Sequence, residues 1–443
     1  MTFIKAPSDI DPKKYSPSAT GHEAFYGLPK NIEYCTRCVI SNQRPVSADE
    51  FGHTAKTAKA SMNIDDDGSC DACKFSDIKR DEIDWDERER ELVALCDRYR
   101  RDDGRYDCLL PGSGGKDSIF ASHVIKYKYG MNPLTVTWAP HLQTDWGRTN
   151  FQAWIDAGFD NYLFTPNSRI HRLLTRLALE NICHPFQPFM MGQKAFAPKL
   201  ASVLDIPLVI YGDNPAEHGD AIEKNFAPQR DWSQFSNTDP ESIFLGGLPI
   251  QALKEDFELT DNDLEPYIPA HPDELKAKNL DVQWLSYYKP WHVQGHYYYA
   301  VENSNFIPSP ERSPGTFSKY NSIDDKIDDF HFYTTYIKFG YGRASQEACF
   351  ELRNGDLTRD EALSLAQSYD GEFPERFTKE VFEYLSVPAS EFPTFAERFE
   401  QPVMDRVYFD KLMDRFRSPH LWMIEDGEWK LRHTVWDARQ TGS

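Results

Sequence analysis

The stretch YDCLLPGSGGKDSIFASHVIKYKYGMNPLTVTWA, residues 106–139, decides the fold class. YDCLLP (106–111) reads as a short buried strand, DSIFASHVIKYKYG (117–130) as a helix, and PLTVTWA (133–139) as a second strand. Strand, helix and strand within about 35 residues make a parallel crossover unit. Outward from it the alternation continues with a helix near 147–157, a strand at NYLFT (161–165), helices from Arg169 to Glu180 and near 192–204, and a strand at PLVIYG (207–212). The expected fold class is therefore α/β, a doubly wound parallel sheet.

Between the first strand and its helix lies PGSGGKDS (111–118). It lacks the spacing of a Walker A loop, and Asp117 stands where a G-x-G-x-x-G turn needs its third glycine. Gly114 and Gly115 let the backbone approach an anion, and the amides of the helix N-terminus add donors for phosphate oxygens. Ser113 and Ser118 offer hydroxyls, Lys116 a positive charge, and Asp117 either a helix cap or a ligand for Mg²⁺. The pattern is that of a nucleotide-phosphate site.

Eight cysteines in 443 residues are too few for a disulfide scaffold. Cys35 and Cys38 form one C-x-x-C, and Cys70 with Cys73 forms another. Four thiolates in two such pairs fill the tetrahedron of a structural Zn²⁺ and leave no open position. His53 lies between the pairs as a substitute ligand, but four cysteines suffice.

Against 49 Lys plus Arg stand 70 Asp plus Glu, a formal charge of −21. That balance disfavours a general nucleic-acid binder, whose affinity rests on a basic surface. With 40% hydrophobic and 14% aromatic residues the chain is not disordered, and no apolar run approaches the roughly 20 residues that cross a bilayer. The polar start MTFIKAPSDIDPKK has no secretory h-region, so a cytoplasmic location is expected. We divide the chain into an irregular arm (1–30), a Cys₄ module with its linking helix (31–103, the helix at 85–99), the α/β domain (104–250), and an acidic insert followed by a mostly helical region (251–443). Residues 254–281 read as a solvated insert, and Thr358 with Glu361 as a helix start.

The hexapeptide SGGKDS resembles the loop of the N-type ATP pyrophosphatases, or PP-loop enzymes, which cleave ATP between the α and β phosphates. More of the chain resembles the N-acetyl sugar amidotransferases of O-antigen and pseudaminic-type sugar pathways: KYKYGMNPLTVTWAPH (126–141), DAGFDNYLFTPN (156–167), HRLLTRLALEN (171–181), HPFQPFMMGQK (184–194), YGDNPAEHG (211–219), SIDDKIDDFHFYTTYIKFGYGRAS (322–345) and RNGDLTRDEAL (353–363). The family motif at the fourth strand reads Gly-Glu-Asn with a later Glu-Tyr-Gly. Here it is Gly212-Asp213-Asn214 and Glu217-His218-Gly219, and Asp213 keeps the carboxylate with a shorter reach.

The resemblance implies an ATP- and Mg²⁺-dependent enzyme that adenylates an acetamido oxygen and lets ammonia displace AMP, giving an acetamidino sugar. Ser113, Gly114, Gly115, Lys116 and Ser118 would hold phosphates and Asp117 the Mg²⁺, with Lys116, Asp117, Asp213 and Glu217 catalytic. Asn214, Gln187, Lys338 and Arg343 are the candidates for substrate contacts, with His184, Gln193 and the stacking rings Trp284 and Trp291 behind them. No glutaminase nucleophile is visible, so the resemblance points to a separate glutamine amidotransferase subunit as the ammonia source. The competing reading is a PP-loop tRNA thiolation enzyme, with Cys108 and Cys183 as possible sulfur carriers.

Overall fold

The structure, a computed structural model, describes residues 9–46, 50–54 and 56–437. Its centre is a five-stranded sheet of β1 (Cys108–Pro111), β2 (Pro133–Trp138), β3 (Asn161–Phe164), β4 (Leu208–Tyr211) and β5 (Asp281–Trp284). The strand order is β3-β2-β1-β4-β5, with every neighbouring pair parallel. Helices α1 (Asp71–Asp81) and α2 (Trp85–Tyr99) precede the sheet, and α3 (Lys116–His123), α4 (Asp145–Asp156), α5 (Ser168–Ile182) and α6 (Gln187–Val203) connect its first four strands.

The two faces follow from strand alternation. Cys108 and Leu110 of β1, with Leu208 and Ile210 of β4, pack toward Leu92, Leu95 and Cys96 of α2 and Ala121 of α3. Leu109 and Val209, one residue out of step, pack toward Ala197 and Ala201 of α6. The sheet is thus covered by helices on both sides, and the C-terminal ends of β1 and β4 open toward the same edge.

The fifth strand falls at 281–284, inside the region that sequence alone assigns to the insert and the helical part. Four residues with one charged end carry no strand period, so pairing with β4, not local preference, creates it. The preceding segment is also less solvated than its acidity suggests. Phe257, Leu259, Leu264, Tyr267, Leu275 and Leu280 are buried, while acids such as Asp263 cap short helices on the outside.

The remaining chain holds α7 (Val293–Ser304), α8 (Ile327–Phe339), α9 (Arg343–Asn354), α10 (Arg359–Tyr369), α11 (Thr378–Leu385) and α12 (Arg406–Asp414), with a terminal hairpin of Trp422–Glu425 and Glu428–Leu431. The capping box expected at Thr358 and Glu361 is present at the start of α10. The arm is irregular, as expected, apart from a 3₁₀ turn at Pro12–Tyr15; its residues 1–8 lie outside the described part. Tyr15 and Tyr26 donate their hydroxyls to the carbonyls of Arg417 (2.9 Å) and Phe416 (2.8 Å), which fastens the arm to the C-terminal region. Among the described residues no helix is long and apolar enough to cross a membrane.

Candidate active site

β1 ends at Pro111, and the loop turns into α3 with Gly115 as the cap residue. Gly114 has φ +82°, and a Cβ there would sit 2.7 Å from Phe151 Cα, a backbone atom that cannot swing away. A Cβ on Gly112 would lie 2.3 Å from Ser118 Cβ. These two positions tolerate only glycine, and the loop keeps its tight path for that reason. No side chain caps the first turn of α3, so its leading amides stay available at the mouth of a cavity of about 500 Å³.

All of Ser113 to Ser118 line that cavity. Lys116 is buried and pairs with Asp117 Oδ2 at 2.5 Å. Asp117 Oδ1 accepts from Trp291 Nε1 (3.1 Å) and faces His296 Nδ1 (2.8 Å). Desolvation alone would raise the Asp117 carboxyl, but Lys116 and His296 outweigh it and hold the group well below the usual carboxylate range. Across the cavity Asp324 lies against the Ser113 hydroxyl, and burial raises its pKa. Asp117 and Asp324 both line the cavity, and their carboxylates are hard oxygen donors suited to Mg²⁺.

At the end of β4 Asp213 and His218 both line the cavity, and His218 Nε2 meets Asp213 Oδ2 at 2.5 Å. The two positions that depart from the family motif are therefore bonded to each other. Arg230 is a further lining residue that sequence reasoning missed. It is buried, its guanidinium lies 4.1 Å from the Tyr211 ring centre and 5.0 Å from that of Trp284, and its Nη1 has no hydrogen-bond partner. Nothing around QRDWS marks it in sequence, because the rings that hold it come from strands β4 and β5. His296 was missed likewise, lost among the aromatics of α7.

Several expected site residues lie elsewhere. Glu217 is buried behind the cavity wall, with Oε2 paired to Lys79 of α1 at 2.8 Å. Asn214 caps the turn at Pro215–His218 and donates to Ser286 Oγ. Gln187 ties the carbonyls of Glu50 and Phe244 to the amide of Gly246. Arg343 is enclosed by Asp329, Glu347 and the carbonyls of Asn321 and Ser322. In each case a polar side chain in a motif is committed to holding backbone or a neighbouring side chain, and none of these four lines the cavity. Trp284 packs on Arg230, whereas Trp291 and Gln193 do line it.

Lys338 and His184 belong to a second cavity of about 240 Å³, which shares Met190, Phe332 and Gln346 with the first. Glu50, His53 and His331 also line it. Lys338 Nζ donates to the Ile182 carbonyl at 2.7 Å. Burial, aided by Lys59, lowers its pKa to about 7.

Cys35, Cys38, Cys70 and Cys73 are buried with their sulfurs all within 4.8 Å of one another. Cys35 lies 3.9 Å from Cys73 and Cys38 lies 3.7 Å from Cys70. Four sulfurs at about 2.3 Å from a tetrahedral ion stand about 3.8 Å apart, so the cluster fits a Zn²⁺. Cys70 is the cap residue of α1, the helix that brings Lys79 to Glu217. Among the described residues this is the one such group.

Residues 314–435 match the family model described as LPS biosynthesis protein WbpG-like, C-terminal domain. That segment supplies a whole wall of the main cavity, through Tyr320, Asn321, Asp324, Phe332, Glu347 and Phe350. An uncharacterized protein of Methanocaldococcus jannaschii is 31% identical over 84 residues, 19% of this chain and 29% of that protein. The chain thus spans under a third of that relative's length.

Two outcomes follow from the site. The purified chain should hold about one zinc per molecule by elemental analysis, and Cys70→Ser or strong chelation should lower the melting temperature by several degrees, since a closed Cys₄ site contributes folding energy directly. A metal-free chain with an unchanged melting temperature would contradict this. For Lys338, the unfolded side chain keeps its proton to about pH 10.4, whereas the folded one releases it near 7. The unfolded state therefore binds more protons between these limits, and stability rises with pH across that window and is lost as pH falls through 7. Denaturant titrations should show that rise, a few kcal/mol at most, flattened in Lys338→Met.

Proposed function

We propose that the chain is an ATP-dependent amidotransferase acting on an N-acetylated sugar, nucleotide-linked or acidic, in lipopolysaccharide or related surface-glycan biosynthesis. The observation that supports this best is the union, around one cavity, of the SGGKDS loop at the β1–α3 turn and a wall built from the WbpG-like segment. The loop offers phosphate-binding groups, and the wall comes from a segment whose family is described by LPS biosynthesis. The fold that this loop implies is that of the PP-loop enzymes.

An acetamido carbon is a poor electrophile until its oxygen becomes a leaving group. The amide oxygen attacks the α-phosphorus of ATP, pyrophosphate departs, and ammonia then adds to the adenylated carbon and expels AMP, leaving an acetamidine. The amides of the loop, the Ser113 and Ser118 hydroxyls and Lys116 hold the triphosphate and stabilise the charge that gathers on pyrophosphate. Mg²⁺, which Asp117 and Asp324 would hold, would supply further charge neutralisation when bound. Arg230, with an unpartnered Nη1 at the cavity, is placed to take an anionic group of the ligand. Asp213, just past β4 in the cavity lining, is placed to bind the sugar or to steer ammonia. Glu217, out of reach of the cavity, serves through Lys79 by fixing the turn that carries Asp213 and His218. Ammonia would come from a separate glutaminase subunit.

The thiolation reading needs a cysteine that reaches its thiolate readily. Cys108 is buried in β1 with its thiol pushed well up by desolvation, and burial raises Cys183 to about 12. Both are poor sulfur carriers, which favours nitrogen as the nucleophile.

The test is product analysis. With ATP, ammonium and an acetamido sugar, the protein should release AMP and pyrophosphate and yield a sugar in which NH replaces one oxygen. Lys116→Ala should lose this turnover by at least about 10²-fold with its circular dichroism unchanged. Release of ADP, or sulfur transfer to RNA, would contradict the assignment.

A further inference from the structure

The reaction as proposed requires a proton acceptor, because ammonia that has attacked the adenylated carbon carries one proton too many. We infer that His218 is this base and Asp213 its positioning residue; the inference rests on the amidotransferase reading. His218 closes the 3₁₀ turn Pro215–His218 just beyond β4, with 23% of its side chain exposed and its ring in the cavity lining. A carboxylate can only accept, so the 2.5 Å contact between Asp213 Oδ2 and His218 Nε2 places the ring proton on Nε2 and the lone pair on Nδ1.

The ring is fixed from two further sides. Its centre lies 5.7 Å from that of Trp291 and 5.2 Å from that of Phe350, edge-on to the latter. Trp291 in turn donates to Asp117 of the phosphate loop. One aromatic ring therefore lies between the imidazole and the loop, and all three line the same cavity. Behind it, Lys79 and Glu217 neutralise each other, and Arg353 donates to the Glu217 carbonyl. No other histidine lines the main cavity among the described residues.

The step balances as follows. The nitrogen lone pair of ammonia forms the new C–N bond while the C=N π pair moves to the sugar nitrogen, which takes up one of the ammonia protons. Nδ1 removes a proton from the attacking nitrogen, whose freed pair forms the new C=N bond as the C–O bond breaks and its electrons leave on the AMP oxygen. The imidazolium then returns its proton to that phosphate or to solvent. Of the three ammonia hydrogens, two remain on the amidine, counted over both nitrogens, and one leaves with AMP.

The experiment separates the two half-reactions in the full-length chain. Sugar-dependent exchange of pyrophosphate into ATP reports adenylation, and AMP release reports nitrogen attack. His218→Gln should keep exchange within a few-fold of wild type yet lose ammonia-dependent AMP release by about 10²-fold or more. Hydroxylamine, whose adduct sheds its proton to water far more readily, should restore most of that loss. Asp213→Asn should show the same contrast between the two nucleophiles, and Asp213→Glu should lessen it. Equal losses with both nucleophiles, parallel loss of exchange, or no loss at all in His218→Gln would overturn the assignment of His218. Absence of sugar-dependent exchange in the wild type would instead overturn the amidotransferase reading beneath it.

Discussion

The close approach of two backbones, at Gly114 and Phe151, is the constraint on which the site depends. A single methyl at Gly114 would meet Phe151 Cα at 2.7 Å, and φ of +82° already excludes most L residues there. Because that contact holds, the chain leaving β1 folds back hard enough for α3 to start at Lys116 with its first turn free of a side-chain cap and lining the cavity. α4, which carries Phe151, is itself held by the segment before α8: Thr144 and Trp146 both donate to the Ile323 carbonyl. The SGGKDS loop and the C-terminal wall are therefore parts of one packing arrangement.

The acidity of the chain looks unsuited to a ligand rich in phosphate. At the site, however, the charges are paired and local. Lys116, paired with the half-buried Asp117, and Arg230 with its two rings are buried at the cavity, while acids such as Asp261 stand 87% exposed on the outer helices. At about 8 Å of screening length in physiological salt, those outer charges contribute little at the loop. The net charge thus describes the solvated shell, and the cavity is governed by amides and a few buried cations.

Much of this was legible in sequence where local chemistry determines structure. The strand–glycine–helix order around 106–139 marked the sheet and the loop, and the two C-x-x-C pairs marked the cluster whose sulfur spacing fits a tetrahedral ion. Residues whose role comes from tertiary neighbours were not legible. Arg230 and His296 become site residues only because distant strands and α3 surround them. Conversely, Gln187, Asn214, Glu217 and Arg343 sit in distinctive motifs because they bind backbone or neighbouring charges in the interior. A motif reports that a side chain matters, and a buried polar group that holds a turn matters as much as one that touches a ligand. β5 escaped for the same physical reason, since its pairing partner, not its own four residues, makes it a strand.

The claim at the centre of this account is that the acetamido oxygen attacks the α-phosphorus over the SGGKDS loop. The most direct measurement uses a sugar whose acetamido oxygen is ¹⁸O, with ATP, Mg²⁺ and ammonium, and reads the label by mass spectrometry. The account predicts that the label appears in the phosphate of AMP, with none retained in the sugar product. Unlabelled AMP formed together with amidinated sugar, or label left in the product, would contradict it.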